Sequence, residues 1–406
     1  MKGKKRKKIK NLAKKPIIKK TPSPNDNLPL PTISLSIIVK DEAPVIERML
    51  NTIYSILDYY IVVDTGSTDG TQEIIKKFFE RKGIPGEVIQ HPWKNFEDAR
   101  NKALACVKGK ADFGFWIDAD EQLIIDPKFN IDSFKRSLIN FDGANTSVSY
   151  GSQNYFRMQF FSTKKPWTWY GPVHEVLVSK DPTTVGVAEG LKVLVTADGN
   201  SWTSESIQQK YEGHAKILED YVKNDPNKDP RWVFYLAQSY RDAVTPENKK
   251  KAMVWYEERS KMTEGYWEEI YYSLLMIASI KGALKYPEDE IINDYLACGK
   301  ANRLRAEHLI PVILHFQSKK DFERSYVYSS HAMKVAGKSP FPQASLFIDP
   351  SIYDWRIFDI HSLNCYYTNR KPEAIKSYRN LQAAIKKGVV PVSEIERIKN
   401  NEKWFR

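Results

Sequence analysis

Apolar positions along the first third of the chain switch between two periods. Ser34–Val39 (SLSIIV), Tyr59–Val63 (YYIVV), Glu87–Gln90 and Phe113–Ile117 (FGFWI) are short β-rich runs bounded by polar or glycine-bearing turns. They predict strands, the longer ones buried. Between the first two, Val45, Ile46, Met49, Leu50, Ile53 and Ile56 recur at helical spacing, and further helices are predicted over Gln72–Lys82 and Phe96–Val107. In Thr65–Thr71 (TGSTDGT), Thr68 or Asp69 can cap the helix that follows, and the glycines permit tight backbone turns. Strands alternating with helices predict a mostly parallel sheet with crossover helices.

The pattern changes after about residue 145. Ser147–Phe161 and Trp167–Val178 (WTWYGPVHEVLV) read as aromatic-rich β structure, and Leu191–Val195 as a last strand. From Glu205 onward the period is helical, interrupted by proline-bearing turns at Asp225–Pro230, Thr245-Pro246 and Tyr286-Pro287. Trp232–Tyr240 followed by Ala252–Tyr256, and loosely Cys365–Tyr367 followed by Ala374–Tyr378, have the phrasing of helical hairpins. Such arrays present concave binding surfaces. The expected organisation is a basic tail and linker over 1–31, an α/β domain over 32–203 and a helical domain over 204–406.

Charge changes this picture less than its total suggests. The net charge is +12, but eleven Lys or Arg fall between Lys2 and Lys20 with no acid among them. The remainder holds 51 basic and 50 acidic residues, so the body offers no basic groove for nucleic acid. The tail is expected to be disordered, and suits an anionic membrane surface, nucleic acid, an acidic partner or a nuclear address, or else serves only to solubilise the chain. It lacks the apolar core of a secretory signal, and no run approaches the ~18 apolar residues of a membrane span. Cys106, Cys298 and Cys365 are scattered and without familiar metal-ligand spacing. They read as packing residues in a reducing, cytoplasmic setting, with peripheral membrane contact open.

The chemistry concentrates at Asp118-Ala119-Asp120, where the run Phe113–Ile117 ends. Two carboxylates at a strand's carboxyl end stand where open α/β sheets bind ligands, and suit a hard divalent cation that grips a diphosphate.

Four segments in order, SLSIIVKDEAPVIERMLNTI, YIVVDTGSTDGTQEII, DARNKAL and WIDADEQL, resemble family 2 glycosyltransferases of the GT-A fold over roughly residues 33–200. With the helical array behind them, the chain resembles the subgroup carrying C-terminal tetratricopeptide-like repeats. The resemblance implies an α/β, Rossmann-like nucleotide-diphospho-sugar transferase domain followed by an all-α one. It implies an inverting, metal-dependent transfer from a nucleotide diphosphate sugar, such as a UDP-sugar, to a glycan, protein or lipid-linked acceptor. Asp41 and Asp64 would then hold base and ribose, Asp118 the ribose or a metal-bound water, and Asp120 the metal, with His174 completing its shell. An imidazole ligand favours Mn²⁺ over Mg²⁺. Arg100 would hold a phosphate or pin the acidic loop. Glu175, or else Glu121, would take the acceptor's proton. Trp169, within Trp167–Tyr170, would face sugar or acceptor. The helical domain would bind a partner or form a homodimer. Asp41 stands where the family commonly has Asn. The alternative from another class is a catalytically inactive scaffold acting through its repeats and basic tail.

Overall fold

In a computed structural model of the chain, residues 29–151, 153–199, 204–226, 228–336 and 346–405 are described. The basic segment expected over 1–31 lies, up to residue 28, outside them. The chain divides into two compact units at Tyr221/Val222.

The first unit is built on β1 (Ile33–Val39). β2 (Tyr59–Asp64), β3 (Gly86–Gln90) and β4 (Phe113–Phe115) join it in the order β3-β2-β1-β4, all parallel. Here β1 and β2 end in register, Val39 beside Asp64. Parallel direction delivers the residues after β1, β2 and β4 to one carboxyl edge, which is where the site forms.

Both faces of these strands are covered, as their near-continuous apolar runs require. Ile33, Leu35, Ile37 and Val39 pack with α1 (Ile46–Ile53) and α2 (Thr71–Lys82) through Met49, Leu50, Ile75, Phe78 and Phe79. Ile61 and Val63 pack on the other face with Ala103 and Val107 of α3 (Phe96–Val107). Phe115, fully buried, stacks on Phe160 with centroids 4.6 Å apart. Truncating it to alanine would cost about 3–5 kcal/mol.

Beyond β4 the sheet departs from the mostly parallel expectation. β5 (Glu121–Ile125), β6 (Gly143–Tyr150), β7 (Gln153–Ser162) and β10 (Val185–Val195) continue it in the order β4-β7-β6-β10-β5. β7 is antiparallel to β4 and β6, while β10 is parallel to β6 and antiparallel to β5. The reversal follows from the tight connection at Tyr150–Gln153, where Gly151 has φ 55° and no crossover helix intervenes. α4 (Ile131–Leu138) precedes β6. β8 (Trp167–Tyr170) and β9 (Val176–Ser179) form a separate antiparallel hairpin. The result is the mixed α/β architecture of GT-A type that the resemblance implies. α5 (Ser204–Asn224) lies mostly in this unit.

From Pro230 to Lys386 each α-helix of the second unit packs on the next in sequence, which is the expected array of helical hairpins, and the last helix is tied back by Tyr378 OH donating to Ile398 O at 3.2 Å. Two of the proline-bearing turns start helices: Asp229 caps α6 (Pro230–Asp242) and Thr245 caps α7 (Pro246–Lys261), each with proline in the first turn. α8 (Glu268–Ala283), α9 (Glu288–Ala301), α10 (Leu309–Ser318), α11 (Phe322–Ala336), α12 (Ile357–Tyr367), α13 (Lys371–Lys386) and α14 (Val392–Asn400) follow. A buried ion triad sits within the unit, with Arg305 Nη1 2.6 Å from Glu268 and Nη2 2.8 Å from Glu307.

Candidate active site

Three loops meet at the carboxyl edge of the parallel strands. The one after β1 is laced to Thr65–Gly70, which follows β2. Asp41 N–H donates to Ser67 Oγ at 2.9 Å, Glu42 N–H to Thr71 Oγ1 at 2.9 Å, and Ala43 N–H to Asp69 Oδ2 at 2.9 Å. In return, Thr68 N–H donates to Asp41 Oδ1 at 2.7 Å. The Ser and Thr hydroxyls of TGSTDGT thus serve the neighbouring loop. The α2 N-cap position is held by Gly70 at φ 93°, and of the two expected caps Asp69, one residue earlier, satisfies the first N–H of the helix, its Oδ1 accepting from Thr71 N–H at 3.0 Å. Asp41 itself has φ 52°, a left-handed conformation uncommon for non-glycine residues and enriched for Asp, Asn and His.

Asp64 closes β2 with its side chain turned inward, at 0% exposure. Its Oδ1 accepts from Gly66 N–H and Ser67 N–H, both at 2.9 Å. Its Oδ2 is buried with no hydrogen-bond partner among the described residues. A buried carboxylate oxygen left unsatisfied is costly, and such an atom asks for a ligand that donates to it.

β4 stops at Phe115, two residues earlier than expected, and Asp118–Glu121 forms a turn with Glu121 N–H donating to Asp118 O at 3.1 Å. Arg100 on α3 pins this turn. Its Nη2 donates to Asp118 Oδ1 at 2.8 Å and its Nε to Glu175, and its guanidinium lies over Trp116 and Trp169, 4.9 and 5.0 Å from the ring centroids. Burial pushes the Asp118 carboxyl up, but the charges of Arg100 and Arg157 outweigh it and hold the carboxyl below its usual range. Burial likewise disfavours the Arg100 cation, and its two carboxylates more than restore it. Of the two roles expected for Arg100, the contacts are those of a pin.

The two candidate bases are held by arginines. Glu121 is 2% exposed, and its Oε2 accepts from Arg157 at 2.6 Å and from Asp118 N–H at 3.1 Å. Burial, reinforced by the Asp118 charge, pushes its carboxyl up to about 6. With no exposed face, Glu121 shapes the acidic turn rather than meeting an acceptor. Glu175 pairs with Arg100 and lies on the loop Gly171–Glu175 that joins β8 to β9.

His174, on the same loop, is exposed and also left-handed at φ 53°. Two strained residues among the expected ligands fit the clustering of strain at functional sites. The expectation for Trp169 is corrected: it is 4% exposed, set edge-on to Trp116 beneath Arg100, and presents no face on which a sugar stacks. Its buried ring supports the loop instead, and only Tyr170 of the segment is exposed.

Sequence reasoning missed several groups here. A Cβ on Gly199 would stand 3.0 Å from Asp120 Cβ and 3.1 Å from Glu42 Oε2, so Asp120 and Glu42 flank the same glycine. From α5, Lys210 is held below its usual range by burial, against the pull of Asp120, Asp118 and Glu42. His214 lies edge-on to His174, with centroids 6.1 Å apart, and burial together with His174 and Lys210 keeps it neutral, down to about 3. Its Nδ1 is buried without a partner among the described residues. Only Glu42 carried a signal, as the neighbour of Asp41; α5 reads as an ordinary amphipathic helix.

The sequence profile described as Glycosyl transferase family 2 matches residues 34–173. The SPbeta prophage-derived glycosyltransferase SunS of Bacillus subtilis (strain 168) is 26% identical over 216 residues, 51% of this chain and 49% of that protein. The chain thus spans about half the length of that curated relative. A TPR repeat-containing protein of Synechococcus elongatus is 36% identical over 95 residues, 23% of this chain and 22% of the relative. Among solved structures, the mannosyltransferase PcManGT from Pyrobaculum calidifontis in complex with GDP-Man and Mn²⁺ has a TM-score of 0.38 at 14% identity, covering 79% of this chain and 90% of its own.

Proposed function

We propose, from the match of residues 34–173 to the glycosyl transferase family 2 profile, that the protein is a metal-dependent, inverting glycosyltransferase using a nucleotide diphosphate sugar, for which a UDP-sugar is the first candidate. The observation that carries the donor reading is Asp64 Oδ2, a buried acceptor without a partner among the described residues at the carboxyl end of β2. A base N–H or a ribose hydroxyl supplies the donor it lacks. Asp41, laced to the same loop, would take part in that contact, and Asp118, fixed by Arg100, would meet the ribose.

The donor set fits a divalent cation. Asp120 offers a carboxylate and His174 an exposed imidazole, a mixed oxygen and nitrogen pair that favours Mn²⁺ over Mg²⁺. When bound, the ion would neutralise the diphosphate as it departs. Arg100 keeps Asp118 ionised and fixes the loop bearing His174 and Glu175. Glu175 is the carboxylate this reading assigns to the acceptor's proton, being partly buried next to the exposed His174, where Glu121 is fully buried. Acceptors compatible with the reading are the hydroxyls of a glycan, a protein or a lipid-linked sugar. No helix among the described residues is long and apolar enough to cross a membrane.

The test is calorimetric titration of the full chain with a panel of nucleotide diphosphate sugars, with Mn²⁺ or with EDTA, on wild type and Asp120→Ala. Metal-dependent binding of one donor, lost in the variant, is expected. Absence of binding to every donor would overturn the reading in favour of an inactive scaffold.

A further inference from the structure

Within the helical unit, α12 carries His361 and Cys365 four residues apart, a spacing that sets both on one face of a helix. The helix ends abruptly: Asn369 adopts φ 57° and Arg370 N–H returns to Cys365 O at 2.8 Å. This tight reversal starts α13 beside Cys365 and brings Glu373, in its first turn, over the same face. Three potential ligand atoms converge there. Cys365 Sγ stands 3.4 Å from His361 Nε2 and 3.9 Å from Glu373 Oε2, and Nε2 stands 3.8 Å from Oε2.

Those distances match a recognisable figure. With Zn–S of about 2.3 Å and Zn–N or Zn–O of about 2.0–2.2 Å, neighbouring ligands on a tetrahedron lie about 3.4–3.6 Å apart. The Cys–His edge is already at that length. The two edges to Glu373 exceed it by a few tenths of an ångström, a shift that the Glu373 side chain, 53% exposed, can make.

The surrounding bonds prepare the ligands. Ser329 Oγ donates its hydrogen to Tyr326 O at 3.1 Å and lies 2.9 Å from His361 Nδ1. The hydroxyl hydrogen being used, the contact is made by Nδ1–H, which leaves the Nε2 lone pair directed at Cys365. Outer hydrogen bonds of this type fix the tautomer and orientation of metal-ligating histidines. Tyr326 OH donates to Glu373 Oε2 at 2.9 Å and its ring stacks on His361, holding the third ligand to the second.

The geometry points to a Zn²⁺ site formed by His361, Cys365 and Glu373, with a water in the fourth position, that clasps α12 to α13. One thiolate and one carboxylate neutralise the dication, and the thiol proton is released on binding. Thiolate and imidazole together select zinc over Mg²⁺ or Ca²⁺. The site is separate in residues and in ligand chemistry from the carboxylate-rich donor site.

The test uses the full chain, stripped with chelator and titrated with Co²⁺ as a coloured stand-in for Zn²⁺. A cobalt–thiolate charge-transfer band is expected, saturating at one ion per chain and displaced by Zn²⁺. It persists in Asp120→Ala, which touches only the donor site, and is absent in Cys365→Ala. Glu373→Gln, a surface change that leaves the core intact, weakens Co²⁺ binding by at least about tenfold. A wild-type chain without the band, a band that survives in Cys365→Ala, or a band indifferent to Glu373→Gln overturns the assignment.

Discussion

Asn101 and Trp169 are joined as two strands would be: the carboxamide Nδ2 donates to Trp169 O at 2.9 Å and the Oδ1 accepts from Trp169 N–H at 2.9 Å. One side chain of α3 thereby satisfies both backbone groups of a residue in β8. The hairpin loop bearing His174 and Glu175 is set by this bond pair and by the neighbouring Arg100. Asn101→Ala leaves Trp169 N–H without this acceptor and its carbonyl with only the long contact from Thr168 Oγ1 at 3.4 Å, at a cost of about 1–3 kcal/mol. The urea midpoint of the first unit should fall, and metal-dependent donor binding should weaken with it.

Arg100 tests the same loop through charge. Lysine at this position keeps a cation but loses the fork that reaches Asp118 and Glu175 at once, and the flat group between Trp116 and Trp169. Arg100→Lys should therefore lower both thermal stability and turnover. Arg100→Ala, which strands two carboxylates, should cost about 3–5 kcal/mol. A lysine variant with wild-type melting and turnover would count against the pin.

Asp64 separates binding from folding. In Asp64→Asn the oxygen can still accept from Gly66 and Ser67, while the second position becomes a donor. Stability should hold, and the donor KM should rise by at least about tenfold, the worth of one charged hydrogen bond lost at the ligand. Unfolding of this variant would instead mark Asp64 as structural.

Asp198 supplies an acid-sensitive tie. Its hydrogen bond with Arg48 Nη2, at 2.5 Å, is the main influence that holds its carboxyl down to about 2, from an ordinary 3.8. A depressed folded value means stability that is present above the ordinary value and lost as pH falls toward 2. The wild type should exceed Asp198→Asn in stability above about pH 4, and the gap should close in stronger acid. Both side chains are over a third exposed, so the gap should stay under about 1 kcal/mol. Urea denaturation of the two proteins across that range measures it.

Arg305 is the counterpart test in the helical unit. Its removal leaves Glu268 and Glu307 buried without their counter-charge, and Arg305→Ala should cost about 3–5 kcal/mol. Helical circular dichroism on heating should show the loss without changing donor affinity measured at low temperature.

The parts of this molecule legible in its sequence are those where a local pattern settles the outcome. β1 and β2 announce themselves as apolar runs because both their faces are covered, and Asp229 and Thr245 announce α6 and α7 because a cap followed by proline has one use. β5 was not legible: Glu121–Ile125 is short and half polar, and becomes a strand only by pairing with β10. The burial of Trp169 was not legible either, since the group that covers it, Arg100, comes from a distant helix. The same holds for His361, Cys365 and Glu373, whose convergence depends on the left-handed Asn369 and not on any familiar spacing. Asp118 and Asp120 stood out because strand ends carry ligands in α/β sheets; Lys210 and His214 did not, because nothing in a helical pattern says which sheet edge it will meet.

α5 has a consequence for the order in which the molecule is made. Its Lys210 and His214 face groups that precede them by dozens of residues, and they lie beyond the stretch matched by the family profile. A chain emerging from the ribosome exposes Asp41, Asp64 and Asp120 first and can pair its strands as it lengthens. Three acidic loops then crowd one edge with Lys210 still inside the tunnel. Arg100 already pins Asp118 by then, and the arrival of α5 is the moment at which Lys210 joins Asp120 and Glu42, so the finishing of the site is coupled to synthesis reaching the threshold of the helical unit.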